Sequence, residues 1–145
     1  MSFDYTPYVT ARYMEWAENA VLLAKKEFPF ICPCGLTPFD GTSKQWTKSD
    51  LAMICLCREF FLEVKKVKKP DWSSYGIKHQ IEKHYTMDGD RVYVHNGATI
   101  VAALACEIPY KIYSNMSLLL GVSHFYATKK MTQTKELDNT VLFDL

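Results

Sequence analysis

No run of about eighteen apolar residues occurs in the chain, so a membrane-spanning helix is not expected. There is no Gly-rich phosphate loop and no paired-carboxylate motif, and glycine is sparse at 6 of 145 residues. Nucleotide chemistry is therefore unlooked for. The opening Met-Ser-Phe-Asp-Tyr lacks the basic-then-apolar order of a secretory signal. Charge of one sign is lacking too. Seventeen Lys and Arg against sixteen Asp and Glu leave a net +1, which argues against a protein that coats nucleic acid. Cysteines number five, and an odd count without a signal implies reduced thiols, as in a host cytoplasm or nucleus.

Apolar and aromatic residues are plentiful instead, at 48% and 14%. A chain of 145 residues with that composition forms one domain and needs no staple. We expect a globular body over 1–127 and a C-terminal tail over 128–145, ending in the apolar Val141, Leu142, Phe143 and Leu145. Such an end on a polar tether reads as a docking peptide.

The chain is organised around Trp72 to Pro109. Ser73 and Ser74 are set to cap a helix over Tyr75–Tyr85, with Ile77, Ile81 and Tyr85 on the core face and Lys78, His79, Glu82 and Lys83 on a solvated back. Asp88-Gly89-Asp90 is a turn. Arg91 to His95 alternates as a strand, Val92 and Val94 on one face and Tyr93 and His95 on the other, pairing near 112–113 or Ile31. Asn96 reads as the N-cap of an alanine-rich helix stopped by Pro109, with Ile100, Val101, Leu104 and Ile108 on one side.

Ser74-Tyr75-Gly76-Ile77-Lys78-His79, Glu82, Tyr93-Val94-His95-Asn96-Gly97, Ile100 and Ala102-Ala103-Leu104 resemble a pattern in short uncharacterised proteins of phages, large DNA viruses and mobile elements. The match spans roughly a quarter of the chain. The resemblance implies an origin and brings no activity with it.

Upstream, Thr6-Pro7 predicts the start of a long helix reaching Glu27. A Pro- and Gly-bearing loop over 29–45 carries its own aromatics and reads as a packed Ω-loop or a binding surface. Thr47 and Asp50 form a capping box for a second helix to about Val67, apolar nearly all round and so expected at the centre of the core. Downstream, Tyr110–Tyr113 reads as extended, Ser114 as the cap of a short helix to Leu120, and 122–127 as a segment packing Phe125.

Chemistry was sought in the cysteines and histidines. Cys32-Pro33-Cys34 and Cys55-Leu56-Cys57 have one residue between partners where zinc sites use two or more, and a helix turns the latter pair about 200° apart. They are read as buried hydrophobes, with no metal and no cofactor. His79 and His84 are five apart and share no helical face, and no nucleophile–base pairing is visible. Charge is uneven, with seven cations against four acids between Lys65 and Arg91. Lys65, Lys66, Lys68, Lys69, Lys78, His79, Lys83 and Arg91, interleaved with Trp72, Tyr75 and Tyr85, are the candidate contacts for a partner or for nucleic acid.

The expected architecture is a predominantly helical α+β domain, two long amphipathic helices packed on a helix, short strand, helix unit. The expected function is that of a non-enzymatic viral or mobile-element interaction or structural protein. It would be a minor virion component of the cement type within a larger assembly, with nucleic-acid binding or inhibition of a host protein as alternatives.

Overall fold

A computed structural model describes residues 4–38 and 45–137, so the expected docking residues Val141, Leu142, Phe143 and Leu145 lie outside the described residues. The fold is α+β and predominantly helical. A 3-10 turn (Thr6–Tyr8) precedes α1 (Ala11–Glu27), and α2 covers Lys48–Glu63. A two-residue strand β1 (Trp72–Ser73) leads into α3 (Ser74–His84), followed by β2 (Tyr85–Met87) and β3 (Asp90–Arg91). Then come α4 (Asn96–Ala105), β4 (Tyr110–Ile112), β5 (Leu118–Leu120) and β6 (Lys135–Glu136).

The small apolar helix α4 is the hub, packing against α1, α2 and α3. The sequence favoured α2 for that place because its apolar residues encircle the cylinder. In the structure α2 is indeed buried from Asp50 to Cys57 and at Phe60 and Phe61. In α4, Ala98, Ala102 and Ala103 are as fully buried as Ala52, Ile54 and Leu56 of α2. Small side chains let several helices approach one axis closely.

Capping explains the helix starts. The α1 cap is Thr10, whose Oγ1 accepts the Tyr13 N–H at 3.4 Å, because Thr6-Pro7 closes only a 3-10 turn. At α2 the expected box forms: Asp50 N–H donates to Thr47 Oγ1 at 3.1 Å and Thr47 N–H to Asp50 Oδ2 at 2.9 Å. The helix ends at Glu63 rather than Val67, so Lys65 to Lys69 lie beyond it, with Lys66 in a β-bridge to Val122. Ser73 alone caps α3, accepting from Gly76 N–H at 3.0 Å.

Two three-stranded sheets flank the helices. One has the order β1-β5-β4, all antiparallel. Its β4–β5 hairpin replaces the short helix expected from Ser114. The hydroxyl of Ser114 accepts from Met116 and Ser117 N–H at 3.2 and 3.1 Å, which closes a turn rather than opening a helix. The other sheet has the order β3-β2-β6. Here β3 pairs with β2 across the Asp88-Gly89 turn, not with 112–113 or Ile31, and only Asp90–Arg91 is strand. Val92 and Val94 are nonetheless buried while Tyr93 is exposed, so the alternation holds without a ladder.

The body extends past Ala127. After a single π-helical turn (Tyr126–Lys130), Met131 and Leu137 join the core and β6 lies parallel to β2. Phe125, expected inside, is 62% exposed, and Ala127 is buried in its stead. In the 29–45 loop, Ile31, Cys32 and Leu36 are buried and Cys32 pairs with Gly35, which makes it a packed loop over its described part.

Gly97 marks the tightest crossing. A Cβ there would lie 1.9 Å from the Cys32 carbonyl oxygen and 2.8 Å from that of Pro33, while the Gly97 N–H donates to Pro33 O at 2.9 Å. Backbone cannot swing aside as a side chain can. Gly97→Ala should therefore lower stability by at least ~1–3 kcal/mol, read from urea melts.

Candidate functional site

Lys78 anchors the candidate site. It was expected on a solvated back, but it is 5% exposed, and lysine is among the residues least often buried without a partner. The partner is Glu82 one turn on, whose Oε2 lies 2.8 Å from Lys78 Nζ. Glu82 also holds His79, Nδ1 to Oε1 at 3.0 Å, and accepts the Val94 N–H at 3.1 Å. One carboxylate thus joins α3 to the segment before α4.

Aromatic faces complete the surroundings of the ammonium. Lys78 Nζ sits 4.6 Å from the Tyr93 ring centre and 5.6 Å from that of Tyr75, within cation–π range. Both rings remain open to solvent, Tyr75 by 54% and Tyr93 by 39%. Tyr93 is fixed through its backbone: the buried Tyr5 hydroxyl donates to Tyr93 O at 2.6 Å and accepts Tyr93 N–H at 3.0 Å. Burial pushes the Tyr5 hydroxyl well above its ordinary value, so it stays a donor.

Tyr75, Lys78 and Tyr93 border a cavity of about 470 Å³, which Pro33, Cys34, Met116 and Ser117 also line. Its floor is a polar knot. The expected cap Asn96 does not cap; His95 occupies the N-cap position and makes no side-chain cap bond. Asn96 Nδ2 instead donates to Met116 O at 2.9 Å and Ser117 Oγ at 3.2 Å, and Asn96 Oδ1 accepts from Ser74 Oγ at 2.9 Å. Ser74, freed from capping, accepts the Leu118 N–H at 3.3 Å. The knot ties α3, α4 and the β4–β5 hairpin together at the cavity.

His95, on the wall, has Nε2 3.4 Å from Asp50 Oδ1. Burial pushes the Asp50 carboxyl up, but the hydrogen bonds from His95 and from the Thr47 N–H and hydroxyl outweigh it, and the group sits below its ordinary value. A second cleft of about 540 Å³ adjoins the first at Tyr93 and is lined by His79, Glu82, Lys83, Arg91 and Val92.

The candidate contacts therefore divide. Lys78, His79, Lys83 and Arg91 border the two clefts, whereas Lys65, Lys66, Lys68 and Lys69 line neither. Lys66 Nζ donates to Cys106 O at 2.6 Å. Sequence reasoning missed Tyr93, His95 and Asn96 as site residues, although the alternation that places Tyr93 and His95 opposite Val92 and Val94 was a usable signal. Met116 and Ser117 gave none, since their stretch read as helix.

Four of the five thiols, those of Cys32, Cys55, Cys57 and Cys106, are held protonated by burial. Burial pushes Cys55 and Cys57 up to about 12, and raises Cys32 and Cys106. A thiol held protonated is a poor nucleophile. All five cysteines are free, and no group of three or more His, Cys, Asp or Glu suited to a metal ion occurs among the described residues. No helix among them is long and apolar enough to cross a membrane.

Compared with known proteins, the chain matches no family model, no curated protein and no solved structure.

A second surface lies elsewhere. Phe30 and Ile112 are 70% and 65% exposed and share a shallow cleft of about 190 Å³ with Phe28, Pro29 and Leu36. Beside it β4 is an edge strand, and Tyr113, 64% exposed, follows it directly. The edge is anchored to α1 by the Tyr110 hydroxyl, which donates to Glu27, and by Phe28 edge-on to Tyr110 at 6.1 Å.

Two outcomes follow from these ionic contacts. Glu82→Gln leaves a buried ammonium without its charge partner and should cost roughly 3–5 kcal/mol in denaturant melts. Lys78→Met together with Glu82→Gln should recover much of that loss, since both charges then vanish. His84 supplies the second: it is 4% exposed, its ring edge-on to Phe60 and Tyr85, and burial lowers its pKa from the ordinary 6.5 against the pull of Glu63 at 3.7 Å. A folded value below the unfolded one means that the unfolded chain binds the extra proton. The stability held above pH 6.5 is then lost as pH falls below it. His84→Phe should flatten that limb of a stability–pH curve, leaving the steeper loss below about pH 4 to which Asp50, depressed in the same sense, contributes.

Proposed function

We propose that the protein is a non-enzymatic interaction or structural component of a virus or mobile element, a minor virion piece of the cement kind that bridges larger subunits. The observation that carries this reading is the apolar face at the β4 edge. Phe30, Ile112 and Tyr113 each expose most of a large apolar side chain beside a strand that is a sheet edge among the described residues, and exposed patches of that kind next to open backbone groups mark protein contacts.

The ionisable groups support the same reading. Glu82 is committed to Lys78, His79 and Val94 N–H, His95 contacts Asp50, and Cys55 and Cys57 are held protonated. Side chains so engaged build a rigid surface rather than a reacting centre. The resemblance of the 74–104 residues to short viral and mobile-element proteins supports the origin.

An inhibitor of a host protein would use the same face, and location separates the two. Purified particles should contain the chain in fixed copy number, and Phe30→Asp with Ile112→Lys should reduce its incorporation at least tenfold while the urea midpoint of the isolated chain is unchanged. Exclusion of the wild-type chain from particles would end the structural role.

A further inference from the structure

The two clefts that meet at Tyr93 make a surface unlike the apolar β4 edge. Tyr75 and Tyr93 stand as half-exposed rings on either side of the Lys78 ammonium, which lies against a face of each. His79 and His95 also meet these rings at right angles, at 4.6 and 5.2 Å, and the solvent-exposed part of each ring is the surface another π system can reach. Along the second cleft Lys83 and Arg91 are exposed cations beside His79. Glu82 has both oxygens engaged by Lys78, His79 and the Val94 N–H, so its charge is compensated from inside the fold, while Asp90 stands beside Arg91 and Glu136 is taken up by the Thr86 hydroxyl and the Gly89 N–H. The surface thus presents two stacking platforms and a track of positive charge.

We propose that these joined clefts bind single-stranded nucleic acid, with unpaired bases on Tyr75 and Tyr93 and the backbone phosphates along Lys83, Arg91 and His79. Bases stack on aromatic side chains only when they are free of a duplex, and stacking tolerates any base because every base has a π face. The cavity beyond the rings is large enough to take the edge of a base. Asn96 and Ser117 at its floor are already bonded to each other and to Met116 O, so the fit is by shape rather than by a base-specific code. The near-neutral net charge sets a modest affinity, and the four lysines at 65–69 take no part.

The test uses the full chain and fluorescently labelled oligothymidylate and oligouridylate of about twelve nucleotides, read by anisotropy at about 25 and 150 mM salt. Both strands should bind, more tightly than duplex of the same length, and a preference between them identifies DNA or RNA as the natural source. Tyr75→Ala and Tyr93→Ala should each weaken binding about tenfold or more, and Tyr93→Phe, which keeps the ring, should stay within about twofold. Lys83→Ala with Arg91→Ala should reduce the slope of log affinity against log salt by about 1.4. Tyr75, half exposed, serves should Tyr93→Ala fail to fold. Lack of binding at the lower salt, equal binding by the tyrosine-to-alanine variants, or tighter binding of duplex would each overturn the assignment. The variants leave Phe30 and Ile112 intact, so particle incorporation reports separately on the β4 face.

Discussion

The Glu82 carboxylate is the contact on which the arrangement depends. It takes a lysine ammonium, an imidazole and a backbone N–H at once, from positions 78, 79 and 94. A buried ammonium is costly to desolvate unless the opposite charge is at hydrogen-bonding distance with its own remaining lone pairs filled. Here both conditions are met. Because the Val94 N–H is one of those partners, the same contact that makes Lys78 tolerable also sets the path of residues 92–95. Tyr93 is thereby delivered to the lysine, and His95 to Asp50.

From that path the rest of the region follows. Met53 Sδ accepts the His95 N–H at 3.2 Å, so α4 starts against α2. Gly97 then passes under the 32–33 carbonyls, where no side chain fits, and Asn96 reaches across to Met116 and Ser117, just before β5. The packed part of the 29–45 loop, α3, α4 and the β4–β5 hairpin are locked at one cavity. The β4 edge and its exposed apolar neighbours belong to the outer side of the same hairpin, which gives the molecule two unlike surfaces on one rigid frame.

Much of this was legible in the chain. The capping box at Thr47 and Asp50, the core positions Ile77 and Ile81, the alternation at 92–95 and the alanine-rich helix before Pro109 are local patterns, and local patterns survive folding. One error came from a polar side chain satisfied by a distant partner. Asn96 looked like a cap because it stands before a helix, yet the carbonyl it serves is twenty positions away. Ser114 looked like a cap as well, but closes a hairpin turn. Lys78 read as solvated because its neighbours Lys83 and His79 are.

The sequence by itself determined the fold class, the presence of the four α-helices and most of their apolar faces, since periodicity and capping act within a few residues of chain. Only the tertiary structure decided that α4 is the hub, that a lysine is buried between two tyrosines, and that the basic run of 65–91 splits into a set lining the clefts and a set apart from them. Those outcomes rest on contacts between residues far apart along the chain. Spacing along a single element carries no record of which distant group will arrive to take a proton or fill a lone pair.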